Sequence, residues 1–509
     1  MVTNEMFTEN KVKTYKNTEQ EEDKVYSYDE AITLAGNGRY TYGLLAVVSL
    51  SILAMGCDMF GFSVVVVGCQ CDFQLTAGQR NVLMSMPFLG PVVMSYPWGF
   101  YSDTRGRRKC LLLAMSCGFL ASAASALSPN WIVLAVLRFV STSCCSCAQS
   151  ATYALLGESS SQRMRGTYML FMTSVLMLTG AYYFGAGYFI LNLEFSLDLG
   201  FISFMPWRLL VLVLALPMGM SWLALLNFYE SPKFLANAGR EDQAVKLLEK
   251  IWRRNGGKDE YPVKKIILNE DSTAPAQKLP LIQSLWAQTA PLFRPPLLWR
   301  TLQLYYITAM LYAVNNSLMM WYPFLLDAFL ADDGSSDQGG LCNMILRSQD
   351  ESNNQQASDC FSKLDPFTTL SSIAYSLVFT LIYLVMSRFA GRMKLMLIII
   401  LTVASTSGVV VIMTTNNTIS LLFFFGILTT GLGIGLMFSY FIELYPTSYR
   451  GMAACLAVIM ARGSALAAIN IIGSYIMTNC YQCFYAFTAY TFSGLILSCF
   501  LPSDTKKKT

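Results

Sequence analysis

Apolar residues in this chain are gathered into runs long enough to cross a bilayer, and few folds accommodate that. Tyr42–Val67, Cys110–Leu127, Leu209–Phe228, Leu395–Met413 and Ile419–Phe438 are the clearest. About 20 residues at 1.5 Å rise cover a hydrocarbon core of roughly 30 Å. Lipid offers the backbone no hydrogen-bond partners, so the runs must satisfy themselves as helices. Twelve spans are expected, near 42–67, 80–100, 110–128, 131–155, 167–191, 207–228, 301–325, 367–387, 394–414, 418–440, 452–474 and 478–501. The chain is 54% hydrophobic and 13% charged, against roughly a quarter charged in soluble domains. The expected fold class is an all-α membrane protein.

The chain also repeats itself. Gly106, Arg107, Lys109, Glu158, Arg165 and Gly166 recur 285 positions on as Gly391, Arg392, Lys394, Glu443, Arg450 and Gly451. One offset shared over two stretches points to a duplicated unit. The twelve spans then divide into two pseudo-symmetric six-helix bundles, a design that usually alternates access to a site between its halves. The expected organisation is a polar tail (1–40), a first bundle (41–228), a linker (229–300), a second bundle (301–501) and a short tail (502–509). A polar loop at 331–366 interrupts the second bundle. In the linker, Gly239–Trp252 reads as an amphipathic helix with Val245, Leu248, Ile251 and Trp252 on one face. It serves either as a brace beneath the bundles or as a solvated tether.

Charge sets the expected orientation. With the N-terminus cytoplasmic, cytoplasmic segments hold 30 of the 36 Lys and Arg residues. Arg80, Arg347 and Lys363 fall on the other side; Arg138, Arg208 and Arg462 fall within spans or at their edges. The net charge of +4 therefore reflects topology, and no nucleic-acid partner is expected. Lys506–Lys508 suit contact with lipid headgroups. The polar first residues predict no cleaved signal peptide.

The chain has no histidine, so proton coupling would run through carboxylates. It has no G-x-x-x-x-G-K-[ST] run to cradle a nucleotide phosphate. A solute or ion gradient fits better than ATP as the driving force, and no enzyme activity, cofactor or metal is expected. Cys144, Cys145 and Cys147 lie in a small-residue run and read as close helix packing. Cys342 and Cys360 lie in the polar loop on the non-cytoplasmic side, where disulfides form, and are expected to pair.

The run Gly99-Phe-Tyr-Ser-Asp103-Thr104-Arg105-Gly106-Arg107-Arg108 joins spans 2 and 3. It resembles the G-x-x-x-D-R-x-G-R-R loop of the major facilitator superfamily. The resemblance implies that the acid caps a helix terminus and pairs with basic residues across the bundle interface, holding a cytoplasmic gate shut. Thr104 stands where the signature has a basic residue, and in the second copy Arg388 stands in place of the acid. An asymmetric gate is therefore expected. Glu158 with Arg165-Gly166, and Glu443-Leu-Tyr-Pro446-Thr-Ser-Tyr-Arg450-Gly451, resemble the family's E-x-x-P-x-x-x-R-G element. Glu230-Ser-Pro232-Lys-Phe-Leu235 resembles the P-E-S-P-R-[WF]-L element of its sugar and organic-ion carriers. The segment from Tyr28 to Tyr40, an acid in span 1 and a large loop after span 7 resemble the branch of synaptic vesicle glycoprotein 2 and related proteins. That branch implies two functions from different classes: a carrier, or a vesicle protein that regulates secretion through protein partners.

Asp58, Arg138 and Arg462 lie inside apolar spans, where a charge costs roughly 2.5–3.5 kcal/mol even on lenient scales. Asp58 and Arg138 lie at similar depth, which permits pairing. Either Asp58 is a protonatable coupling residue with Arg138 as partner, as the resemblance to sugar–proton symporters implies, or the two form a static ion pair. Arg462 sits near mid-membrane in an A-R-x-G setting similar to that of organic-anion carriers. It serves a substrate carboxylate or other anion, or else an interhelical carbonyl. Asn315, Asn316, Trp321 and Tyr322 are candidates to line the cavity, packing being the commoner role for the aromatics. The expected partners are thus a small organic solute, a coupling proton or ion, and lipid.

Overall fold

Each apolar run forms a helical span in the computed structural model, which describes residues 25–267 (199 and 201 excepted), 289–330, 341–343, 345, 363–387 and 392–502 (446 and 477 excepted). At 327–330, 387, 417–418, 439, 442–443, 447–452 and 455 only the backbone is described. Span 1 runs Arg39–Phe60 and Phe62–Cys69, span 2 Ala77–Arg105, span 3 Arg107–Ser125, and span 4 Trp131–Cys145 and Cys147–Glu158. Span 5 is Gln162–Leu191 and span 6 Pro206–Leu225. In the second half, spans 7, 8 and 9 are Leu298–Leu330, Pro366–Ser387 and Met393–Met413. Span 10 is Asn417–Ile427 and Thr430–Leu444, span 11 Thr447–Tyr475, and span 12 Cys480–Cys499. Among the described residues, eight spans are long and apolar enough to cross a membrane on length and composition alone.

Local chemistry sets the helix ends. Thr76 and Gln79 form a capping box at the start of span 2. The Asn130 side chain caps span 4 by accepting from Val133 N at 2.9 Å, and Pro206 opens span 6, where its missing N–H costs nothing. Spans 4 and 10 hold equivalent places in the two halves, and both are interrupted midway, at Ser146 and at Leu428–Thr429. The halves meet where span 2 packs on span 11, span 5 on span 8, and the end of span 1 on span 7.

The linker closes over one end of the first bundle. Strand Val25–Ser27 pairs in parallel with Lys265–Ile267, and helix Glu241–Arg254 buries Ala244, Leu248 and Ile251. Asn255 ties the two segments together. Its amide donates to Ala35 O (3.1 Å) and Gly36 O (2.8 Å), and its oxygen accepts from Tyr40 N (3.1 Å) and Thr41 N (3.3 Å). Gly38, the N-cap of span 1, has no side chain to do this, so Asn255 caps the span from the linker. Burial pushes the Tyr28 and Tyr261 hydroxyls well up, so both stay protonated and donate. Tyr261 donates to Ala31 O (2.6 Å) and Tyr28 to Glu158 O (2.5 Å).

The far end of the molecule corrects one expectation. Cys342 does not pair with Cys360: it forms a disulfide with Cys480, with the Cα atoms 5.4 Å apart. Cys480 opens span 12, so the bond ties the loop after span 7 to the start of the last span. Proximity in the sequence favoured Cys360, but only the packing of the spans brings Cys480 to that face. Cys360 lies outside the described residues, as does Gly391 of the second loop copy.

Replacing Asn255 by Ala should cost about 0.5–2 kcal/mol, the usual loss of a cap. Thermal unfolding of the detergent-solubilised protein should show a lower midpoint, with Asn255→Asp, which keeps the accepting oxygen, closer to wild type.

Candidate functional site

A cavity of about 90 Å³ lies between the halves. The first half contributes Met55 and Phe60 of span 1, Gln149 of span 4, and Met177 and Tyr183 of span 5. The second contributes Tyr312, Asn315, Asn316 and Met319 of span 7, Tyr375 and Phe379 of span 8, and Arg462 of span 11. The walls are aromatic and thioether surface with a few amides and hydroxyls. Of all the lining residues Arg462 alone carries a formal charge.

Arg462 is 4% exposed and reaches across to the other half. It donates to Gln149 Oε1 at 2.7 Å, lies 2.9 Å from Met59 Sδ, and stands over the Tyr312 ring at 5.4 Å. An uncompensated guanidinium in such a site would cost several kcal/mol, yet no carboxylate faces it among the described residues. Its partners are neutral, and its Nε is buried without a partner. Its acceptor is the side-chain carbonyl of Gln149 on span 4, and no acid pairs with it among the described residues. A neutral amide oxygen is a weaker acceptor than an anion. Asn315 and Asn316 bond to each other at 3.2 Å, leaving Asn315 Oδ1 and Asn316 Nδ2 unpartnered and buried.

Asp58 and Arg138 form a salt bridge of 2.9 Å with side chains 2% and 4% exposed. Asp58 also accepts from Ser141 at 3.0 Å and Ser122 at 3.3 Å. Arg138 donates to Ser122 Oγ at 2.9 Å and to the Asp58 carbonyl, and lies 4.7 Å over the Phe62 ring. The pair thus joins spans 1, 3 and 4 inside the first half and does not line the cavity. It lies one residue from Met59, which touches Arg462. Trp321 and Tyr322 do not line the cavity either. Trp321 donates to Ile469 O of span 11 at 3.1 Å, and Tyr322 packs edge-on to Phe184 of span 5. Both are packing residues between the cavity and the far face.

The loop signature builds a charged lattice at the linker face. Gly106 has φ +110°, and a Cβ there would stand 2.5 Å from Glu230 Oε2. The glycine both permits the turn and admits the carboxylate. Glu230 caps span 3 by accepting from Arg108 N (2.8 Å) and Lys109 N (3.3 Å). The cap therefore comes from the E-S-P element and not from Asp103. Asp103 pairs with Arg107 of its own half at 3.0 Å and is 72% exposed. Arg107 also bonds Glu158 at 3.2 Å, Arg108 donates to the last carbonyls of span 6, and Arg165 pairs with Asp29 at 3.3 Å. Gly99 lies within span 2. In the second copy Arg392 precedes span 9, and the side chains of Glu443 and Arg450 are outside the described set.

Sequence reasoning missed Gln149, Met59 and Tyr312. An amide in the small-residue stretch of span 4 was the available signal for Gln149; methionines and tyrosines are too common in membrane helices to stand out. It also missed Asp72 as the partner of Arg208 (3.3 Å), because Asp72 sits beyond the end of span 1.

The family model described as Major Facilitator Superfamily matches residues 48–469. Among curated proteins, synaptic vesicle glycoprotein 2C of Mus musculus is 28% identical over 257 residues, 50% of this chain and 35% of that protein. Synaptic vesicle glycoprotein 2A of Homo sapiens is 25% identical over 238 residues, 46% of this chain and 32% of that protein. The match thus spans about a third of the length of these relatives. Among solved structures, the xylose transporter XylE from E. coli in an inward-open conformation gives a TM-score of 0.62 at 15% identity, covering 92% of this chain and 98% of that one. A crystal structure of the D-xylose–proton symporter gives 0.59 at 13% identity, covering 92% and 99%. These likenesses identify the fold: two bundles of six helices.

Removing one partner of the Asp58–Arg138 pair leaves a buried charge alone, so Arg138→Leu should cost about 3–5 kcal/mol. The Asp58→Leu/Arg138→Leu double variant should be more stable than Arg138→Leu. Chemical unfolding of the three proteins in one detergent checks the order.

Proposed function

Because the chain belongs to the major facilitator superfamily, we propose that it is a secondary carrier moving a small organic anion by alternating access through the cavity between its halves. One observation carries the choice of an anion: among the described residues, the only charge on the cavity wall is the Arg462 guanidinium, held by the neutral Gln149 and Met59. A cationic solute would meet like charge there without water to screen it. The aromatic and methionine walls suit an apolar body, and Asn315 and Asn316 offer an acceptor and a donor to its polar groups. No acid faces Arg462 among the described residues, so substrate binding does not have to displace one.

Coupling falls to Asp58. Protonation would loosen its bond to Arg138 and change the packing of spans 1, 3 and 4, and span 1 carries that change to Arg462 through Met59. The lattice at Gly106, Arg107 and Glu158 serves as half of the gate at the linker face. With the basic residues gathered there, that face is cytoplasmic, and the membrane is that of a vesicle or the cell surface. A second reading has a specific observation behind it. The similarity to synaptic vesicle glycoproteins supports a non-transporting vesicle protein that regulates secretion through a protein partner.

Reconstitution into liposomes decides between them. Wild type should accumulate labelled monocarboxylates under an imposed proton gradient. Arg462→Gln should lose roughly 10–150-fold in uptake, the worth of one or two charge-assisted hydrogen bonds. Absence of uptake for every carboxylate and neutral solute tested would reject the carrier. Asp58→Asn should abolish accumulation against a gradient while leaving exchange of labelled for unlabelled solute intact. Undiminished accumulation in that variant would remove Asp58 from the coupling role.

A further inference from the structure

At the face opposite the linker, one cation lies over two aromatic rings. Arg80 is in the first turns of span 2. Its guanidinium lies 4.9 Å above the Phe324 ring and 5.9 Å from that of Trp321, both on span 7 of the other half. Arg80 Nε is buried without a hydrogen-bond partner, and no carboxylate pairs with the side chain among the described residues. The Trp321 ring is itself fixed, since its Nε1 donates to Ile469 O of span 11. The neighbouring Asn81 donates to Ser474 Oγ of span 11 at 3.4 Å. Gly473 makes this approach possible: a Cβ there would stand 2.5 Å from Asn81 Cγ and 2.6 Å from Trp321 Cζ2. Span 2 of the first half is thus seated against spans 7 and 11 of the second by a cation over two rings.

These are the elements that must part if the central cavity is to open on this side. Among the described residues, the polar contacts joining the halves near here besides Arg80 are the long Asn81–Ser474 bond and an exposed Lys363–Glu194 pair, which contributes little. At the linker face, by contrast, Asp103, Arg107, Arg108 and Arg165 all bond within the first half or to the segments that cover it. Among the described residues, these contacts join the halves at the far face, and the side chains of the signature lattice make none with the second half. We propose that Arg80 is the latch of the far gate, a positioning residue that sets the balance between the carrier's two states. The physics suits a latch. A partly buried guanidinium over aromatic faces is attracted moderately, and on separation the group is hydrated further. A buried ion pair would leave two stranded charges on opening and hold too tightly. Losing a cation–π contact of this kind should move the balance of states about 5–30-fold.

This inference rests on alternating access, but its test needs no solute. Hydrogen–deuterium exchange is measured on the full chain in lipid nanodiscs for wild type, Arg80→Gln and Arg80→Lys. In Arg80→Gln, peptides covering 318–326 and 466–475 should exchange about 5–30-fold faster, and those covering 99–105 and 160–168 at the linker face should exchange more slowly. Arg80→Lys keeps a cation over the rings and should stay near wild type. Exchange that rises at both faces means general loosening, and exchange unchanged in Arg80→Gln means the rings hold nothing; either overturns the latch. Uptake by wild type together with unchanged exchange in Arg80→Gln would reject the latch alone and leave the carrier standing.

Discussion

A guanidinium cannot rest in a hydrocarbon interior without acceptors, and the way this chain satisfies three of them organises everything else. Arg138 is neutralised by Asp58 inside the first bundle; Ser122 accepts from the guanidinium and Ser141 donates to the carboxylate. Arg208 is taken up by Asp72 and by the carbonyls of Ala126 and Ser128, with Trp207 beneath it at 4.3 Å. Each of these fixes several elements of one half relative to each other, and each has a carboxylate to balance its charge. Arg462 differs in kind. Its acceptors are a neutral amide and a sulfur from the opposite half, so its charge is solvated only in part and only by contact across the interface. Two arginines tie elements together within one half, and the third meets its acceptors across the interface.

The same economy governs the two faces. At the linker face, acids and bases are abundant, and they are used to cap helix ends and bind the covering segments. Glu230 holds the start of span 3, Arg108 the end of span 6, and Asn255 the start of span 1. These bonds make the first bundle and its cover one body. At the far face, among the described residues, contact between halves falls to Arg80 on two rings, to Phe184 against Tyr322, and to glycines that let backbones approach. Gly180 leaves room for Ser376 of span 8 in the same way. Such contacts are close but individually weak, which suits a surface that opens and recloses. An amphipathic linker with a firm cover and a far face of rings and small residues is consistent with rigid halves rocking about a central site.

The fold was legible to an unusual degree. Apolar run length places all twelve spans because the bilayer sets one length for every crossing helix. The pair Asp58 and Arg138 was legible for a related reason: an isolated charge in lipid is so costly that it must have a partner at its own depth. Roles were less legible. The resemblance gives Asp103 a helix-capping role, but the start of span 3 is capped by Glu230, 124 residues beyond Gly106 in the chain. Trp321 reads as a cavity residue, but its ring lies under Arg80. In both cases the side chain has several chemically equivalent uses, and the choice depends on which helix stands opposite.

What the sequence determined by itself was therefore the number of spans, the duplication, and which charges must be buried. These follow from the one-dimensional spacing of apolar residues and from the cost of ionised groups in lipid, neither of which needs a neighbour. Tertiary structure decided which acceptor each charge finds: Gln149 for Arg462, Glu230 for the start of span 3, Cys480 for Cys342, two rings for Arg80. Helices packed side by side bring together residues hundreds of positions apart. The contact is set by the rotation and depth of each helix in the bundle, and those are properties of the packed assembly that no local stretch of residues encodes.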